Sequence, residues 1–257
     1  MKRSLLVAAC LWLVGALVLR VTVAPPTACP AINAGGARAA ALDAAAWVSK
    51  AQKPDGTYLY EFNRDTGQIP DDYNVVRHAG VTMSLYQLAA AGDLTFLANA
   101  DRGLDYMQNN LLRRDGWAAF RDPRSGAIQL GASALMLAGL DQRRLATGDR
   151  THDQLMREVA RFLLVMQRGD GAFLASWLPE TGAPDPSETS KYATGEAFWA
   201  LAMMHEAFPS EGWDKPTRLV ALSFDPAGRG RGVQLPAVGR PMGSLRVGRN
   251  GGVAPQR

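Results

Sequence analysis

Cysteine is almost absent: the 257-residue chain has two, Cys10 inside an apolar N-terminal run and Cys29 shortly after it. A disulfide framework and a thiolate metal cluster are therefore excluded for the body of the chain. Histidine is scarce too, and His78, His152 and His205 stand too far apart for paired ligand spacing, so no metal and no cofactor is expected. Charge in the body nearly cancels. Residues 223–257 hold six arginines against one acidic residue, so this tail carries +5 of a chain whose net charge is +4, and residues 1–222 sum to −1. A basic excess on a tail, and not clustered on a folded domain, argues against a nucleic-acid partner. No βαβ alternation is present either, which removes a parallel sheet.

What is present begins with Met1-Lys2-Arg3-Ser4, followed by residues 5–19 without one charged side chain. A basic start before an apolar run is the form of a secretory signal, yet the nearest small-residue cleavage site, Thr22-Val23-Ala24, runs at once into Pro25-Pro26. Arg20 can snorkel and let the run extend to residue 24. Residues 1–24 are thus expected to be an uncleaved signal anchor, with a cleaved signal as the alternative, and the basic flank puts the N-terminus inside. Either reading places the body outside the cytoplasmic membrane, anchored to it or secreted. Residues 25–37 form an Ala/Pro/Gly linker. Residues 223–257, with eight glycines, four prolines and no apolar period, follow an abrupt stop near residue 222. That stop favours a shifted reading frame that leaves the domain at 38–222 short; a basic arm and a plain disordered terminus are the alternatives.

Within the body a pattern returns. Gln52, Asp55, Gly56, Thr66, Gly67 and Gly80 match Gln167, Asp170, Gly171, Thr181, Gly182 and Gly195 at one constant offset of 115. A shorter copy, Asp115-Gly116 to Ser125-Gly126, lies between them and lacks the long polar loop. Apolar periodicity predicts helices at 38–52, 75–91, 94–112, 128–144, 151–167 and 192–208, and a seventh begins at 214. Residues 57–62 alternate Tyr58, Tyr60 and Phe62, and read as an extended loop, with a short strand as the alternative. One helical hairpin every 55 to 60 residues signals a solenoid or a closed ring of hairpins.

The repeated helix, Asp-Gly turn and small-residue helix start from Ala41 to Phe208 resembles the (α/α) toroids. That group includes six-hairpin glycosidase-like proteins and the terpenoid cyclase and prenyltransferase repeats. The resemblance implies an all-α fold of repeated hairpins forming a partial (α/α) toroid, preceded here by an apolar anchor helix. A complete toroid of that kind has about twice the seven helices read here.

Candidate chemistry sits where the copies differ. Asn74, Arg77 and His78 fall at i, i+3 and i+4 on one face of a helix entrance, just after Asp71-Asp72-Tyr73. Acid, imidazole and guanidinium at a helix start suit binding or proton transfer on a hydroxyl-rich or anionic substrate; capping and a local ion pair are the structural alternatives. In the third copy Glu188 matches Tyr73, Tyr192 matches Arg77, and Glu196 follows the shared glycine. Asp72, His78 and Glu196 are the catalytic candidates; Asp71, Tyr73, Asn74, Arg77, Glu188 and Tyr192 are the candidates for substrate binding. Asp71-Asp72 is similar to the Asp-rich magnesium diphosphate motifs of prenyl chemistry, but no second acidic motif follows. The expected function is an exported carbohydrate-active protein acting on an envelope or extracellular glycan by hydrolysis, elimination or epimerisation. A non-catalytic binding scaffold and an isoprenoid-handling enzyme are the alternatives.

Overall fold

The computed structural model describes residues 2–23, 33–189 and 192–223. The expectations for the tail, and for most of the linker, fall outside the described residues. The contacts define two units, Met1–Asp43 and Ala44–Arg257. In the first, helix α1 (Lys2–Thr22) carries a 19-residue stretch, Ser4–Thr22, long and apolar enough to cross a membrane. Its leucines, valines and Trp12 are exposed.

The second unit is helical. Helix α2 (Ala34–Lys50) starts inside the expected linker. It is followed by α3 (Val75–Ala90), a 3-10 turn at Leu94–Phe96, α4 (Leu97–Asn109), α5 (Leu130–Thr147), α6 (Asp153–Val165), α7 (Ala193–Ala207) and α8 (Asp214–Ser223). Helices α3, α5 and α7 form an inner row, α3 against α5 and α5 against α7, while α4, α6 and α8 pack on them from outside. Sequence explains the layering. Helix α5 is apolar or small on nearly every face and is buried from Leu130 to Asp141 except at Leu135, whereas α6 buries one stripe through Leu155, Met156, Val159, Phe162 and Leu163.

One predicted helix is too long. Residues 94–112 were expected to be helical throughout, but α4 stops at Asn109 and Leu111–Arg114 form strand β1, antiparallel to β2 (Trp117–Phe120). The Asp115-Gly116 turn between them has positive φ at both residues, 50° and 80°, the geometry of a tight hairpin. Burial of all four residues of β2 outweighs the helical continuation. Residues 57–62 carry no strand, as expected. A second small sheet joins β3 (Ile128–Gln129), β4 (Ser176–Leu178) and β5 (Ala183–Pro184), tying the start of α5 to the loop before α7.

The Asp-Gly turns of the first and third copies share a role that the Asp115-Gly116 hairpin turn does not have. Gly56 and Gly171 have φ of 90° and 89°, and a β-carbon on them would stand 2.2 Å from the Arg102 carbonyl oxygen and 2.1 Å from that of Leu219. Only a residue without a side chain lets these backbones touch. Beside each turn a glutamine spans the same gap: Gln52 Nε2 donates to the carbonyls of Gly56 and Asn99, and Gln167 Nε2 to those of Gly171 and Pro216. The turn is a clamp on an outer helix, α4 in the first copy and α8 in the third.

Candidate functional site

The inner helices start at one cleft of about 420 Å³. Asn74 is the N-cap of α3, its side-chain oxygen accepting the Arg77 N–H at 3.0 Å. Arg77 therefore sits in the first turn, where its guanidinium donates to Tyr60 Oη at 3.0 Å and lies 5.0 Å over the Tyr60 ring. Asn74 and Arg77 both line the cleft. The small sheet supplies another wall. Gln129 of β3 pairs with Ser176 of β4, and the Ser176 hydroxyl donates to Glu188 Oε2 at 2.5 Å. The Glu188 backbone carbonyl also accepts the Ala175 N–H at 3.1 Å, so the residue is held at two points, one through its main chain and one through its carboxylate.

Helix α7 completes the cleft. Tyr192 caps it with 80% of its surface exposed, and Glu196 stands in the first turn. Glu196 is partly buried, and burial holds its carboxyl above the ordinary glutamate value. Its Oε2 occupies the space beside Gly131, in the first turn of α5.

Five of the nine candidate residues thus share the cleft: Asn74, Arg77, Glu188, Tyr192 and Glu196. The other four do not line it. Asp71 is exposed and pairs with Arg124 at 2.6 Å, and Asp72, also exposed, accepts the Tyr73 N–H at 2.7 Å. Tyr73 and His78 form a core network. His78 is 2% exposed, its Nε2 lies 2.8 Å from the Gly103 carbonyl and its Nδ1 lies 2.6 Å from Tyr73 Oη. The carbonyl can only accept, so Nε2 carries the proton and Nδ1 accepts from the tyrosine. Tyr73 Oη in turn accepts the Tyr58 N–H at 3.1 Å. Burial pulls the His78 pKa down to about 4 and raises that of Tyr73, so the pair is neutral at physiological pH.

Sequence reasoning missed Gln129, Gly131 and Ser176, which also line the cleft. Aligning the short copy by its helix start, instead of its Asp-Gly turn, sets Gln129 beside Asn74 as the residue before a helix, and was the signal available. Among the described residues no group of three or more His, Cys, Asp and Glu is arranged to hold a metal.

No protein-family model and no curated protein matches the sequence. Solved structures do. The chain is similar to a D-mannose isomerase, with 13% identity over 76% of this chain and 52% of that one and a TM-score of 0.60. It is similar to the cellobiose 2-epimerase of Spirochaeta thermophila, with 15% identity over 76% and 55% and a TM-score of 0.55. A third match is the unsaturated glucuronyl hydrolase of a Bacillus species, with 15% identity over 74% and 56% and a TM-score of 0.54. The chain has a partial (α/α)-toroid fold, the fold it shares with these three enzymes. It spans about half the length of the solved structures it matches.

Proposed function

We propose that the chain acts on a sugar or glycan held in the cleft between the starts of α3, α5 and α7. The observation that carries this reading is the meeting of two carboxyls, Glu188 and Glu196, with Arg77, Asn74 and Gln129 in one cleft drawn from all three copies. Glu196, partly buried and inclined to keep its proton, is the proton donor. Glu188, held by Ser176, is the second carboxylate, which in a hydrolase activates water or attacks the sugar, and in an epimerase removes a proton. Arg77, Asn74 and Gln129 bind hydroxyl or anionic groups, and exposed Tyr192 offers a face for a sugar ring. Helix α1 supports an extracytoplasmic address, anchored or secreted. Arg77, Glu188 and Glu196 in the lining favour a hydroxyl-rich or charged ligand over an isoprenoid.

The test is to incubate the full chain with a panel of oligosaccharides and free sugars and follow products by NMR. Turnover of at least one sugar should fall about a hundredfold or more in Glu196→Gln. Turnover equal to that of the parent in this variant would sink the assignment, and binding without turnover would favour the non-catalytic scaffold.

A further inference from the structure

Gly131, in the first turn of α5, stands where the three inner helices meet. A β-carbon built on it would lie 2.5 Å from Glu196 Oε2, 3.5 Å from Val76 Cγ1 of α3 and 3.7 Å from Ala193 Cβ of α7. The two carbon distances are ordinary contacts; the oxygen distance is too short, so with a β-carbon present the Glu196 carboxylate has to shift. The backbone at Gly131 is not left-handed, so its conformation does not ask for glycine, and alanine is the better helix former there. At Gly139, two turns on, a β-carbon would meet Met83 and Tyr86 of α3 only at ordinary contact distances. At Gly131 the space belongs to a carboxylate.

We infer that Gly131 is a positioning residue, whose missing side chain forms the seat of the Glu196 carboxylate and sets its depth in the cleft. Among the described residues no hydrogen bond to that carboxylate is seen, and the packing at Gly131 is what meets it there. Glu196 is partly shielded from water by this seat, and the raised proton affinity that burial gives it depends on the seat remaining empty of carbon. The importance of the seat for turnover rests on the sugar-processing reading; the seat itself does not.

The experiment uses the full chain with 13C-labelled glutamate carboxyls, titrated by NMR, the Glu196 signal being assigned by its loss in Glu196→Gln. In Gly131→Ala the Glu196 midpoint should drop towards that of an exposed glutamate while the thermal midpoint stays or rises. An unchanged Glu196 midpoint in folded Gly131→Ala overturns the inference. If Gly131→Ala does not fold, the same substitution is made together with Glu196→Ala: recovery of folded protein supports the seat, and continued failure overturns it. Turnover is a separate arm. On any sugar the panel identifies, Gly131→Ala should lower kcat more than it alters KM and displace the alkaline limb of the pH profile, and adding Glu196→Asp, one methylene shorter, should restore part of both. Failure to find a sugar leaves the titration able to decide the seat, so the two readings fail separately.

Discussion

In the first copy the aromatic residue of the polar loop turns inward: Tyr73 meets His78 and the Tyr58 amide, and the loop base is stitched into the core. In the third copy Glu188, at the same offset, turns to the cleft and is held by Ser176, while the place of His78 is taken by Ala193. Arg77 and Tyr192, again equivalent, both line the cleft. The clamp beneath is common to both. One frame therefore supports two different loops, and the first spends polar residues on holding itself while the third spends them on the cleft.

The common frame gives the largest expected effect. Gly56→Ala and Gly171→Ala each force a β-carbon onto a backbone carbonyl at positive φ, and each should cost on the order of 3–4 kcal/mol in urea unfolding. A mild result at one and a severe one at the other breaks the equivalence of the two clamps.

Next comes the difference at His78. Its pKa falls from 6.5 to about 4 on folding, so the neutral ring contributes stability that is complete above pH 6.5 and is lost as pH falls through 4. The loss amounts to roughly 3 kcal/mol. Denaturant titrations from pH 7 to pH 4 should show this acid limb in the parent and not in His78→Gln; an identical limb in both would place its origin elsewhere.

Smaller effects follow from the glutamines. Gln52 donates to the Gly56 and Asn99 carbonyls and also accepts from Asn99 at 3.0 Å and Arg102 at 2.9 Å, whereas Gln167 makes the two donor contacts, at 3.4 and 3.1 Å. Gln52→Ala should cost about 2 kcal/mol and Gln167→Ala about 1 kcal/mol by thermal unfolding. The reverse order would mean that the third clamp is the stronger one. Asp71→Ala, which removes an exposed ion pair to Arg124, should shift stability by less than about 0.5 kcal/mol.

The frame was legible because it rests on local rules. Apolar period located every helix, and the constant offset of Gln, Asp-Gly and Gly positions named the clamp residues before their partners were visible. Partners across helices, such as Arg102 and Leu219, carry no sequence signal, since a backbone carbonyl has no residue type. Strand β1 was misread because Leu111 and Leu112 continue the helical stripe, and burial of Trp117–Phe120 decided against it. At the site, Asn74, Arg77, Glu188, Tyr192 and Glu196 were visible as polar residues at helix starts. His78 shares the helix face of Arg77 at i+1 only in part, and that rotation carries it inward to Gly103. Gly131 was silent, because a seat is an absence of atoms.

The central claim is that all three copies build one ligand site. It is tested most directly by calorimetric titration of a sugar from the panel into Arg77→Ala, Gln129→Ala and Glu188→Ala, one variant from each copy, beside Asp72→Ala. The account predicts that each of the first three weakens binding about tenfold or more, the loss of a charged or buried hydrogen bond. Asp72→Ala should bind as the parent does. Loss of binding in Asp72→Ala, with the other three unchanged, would contradict it.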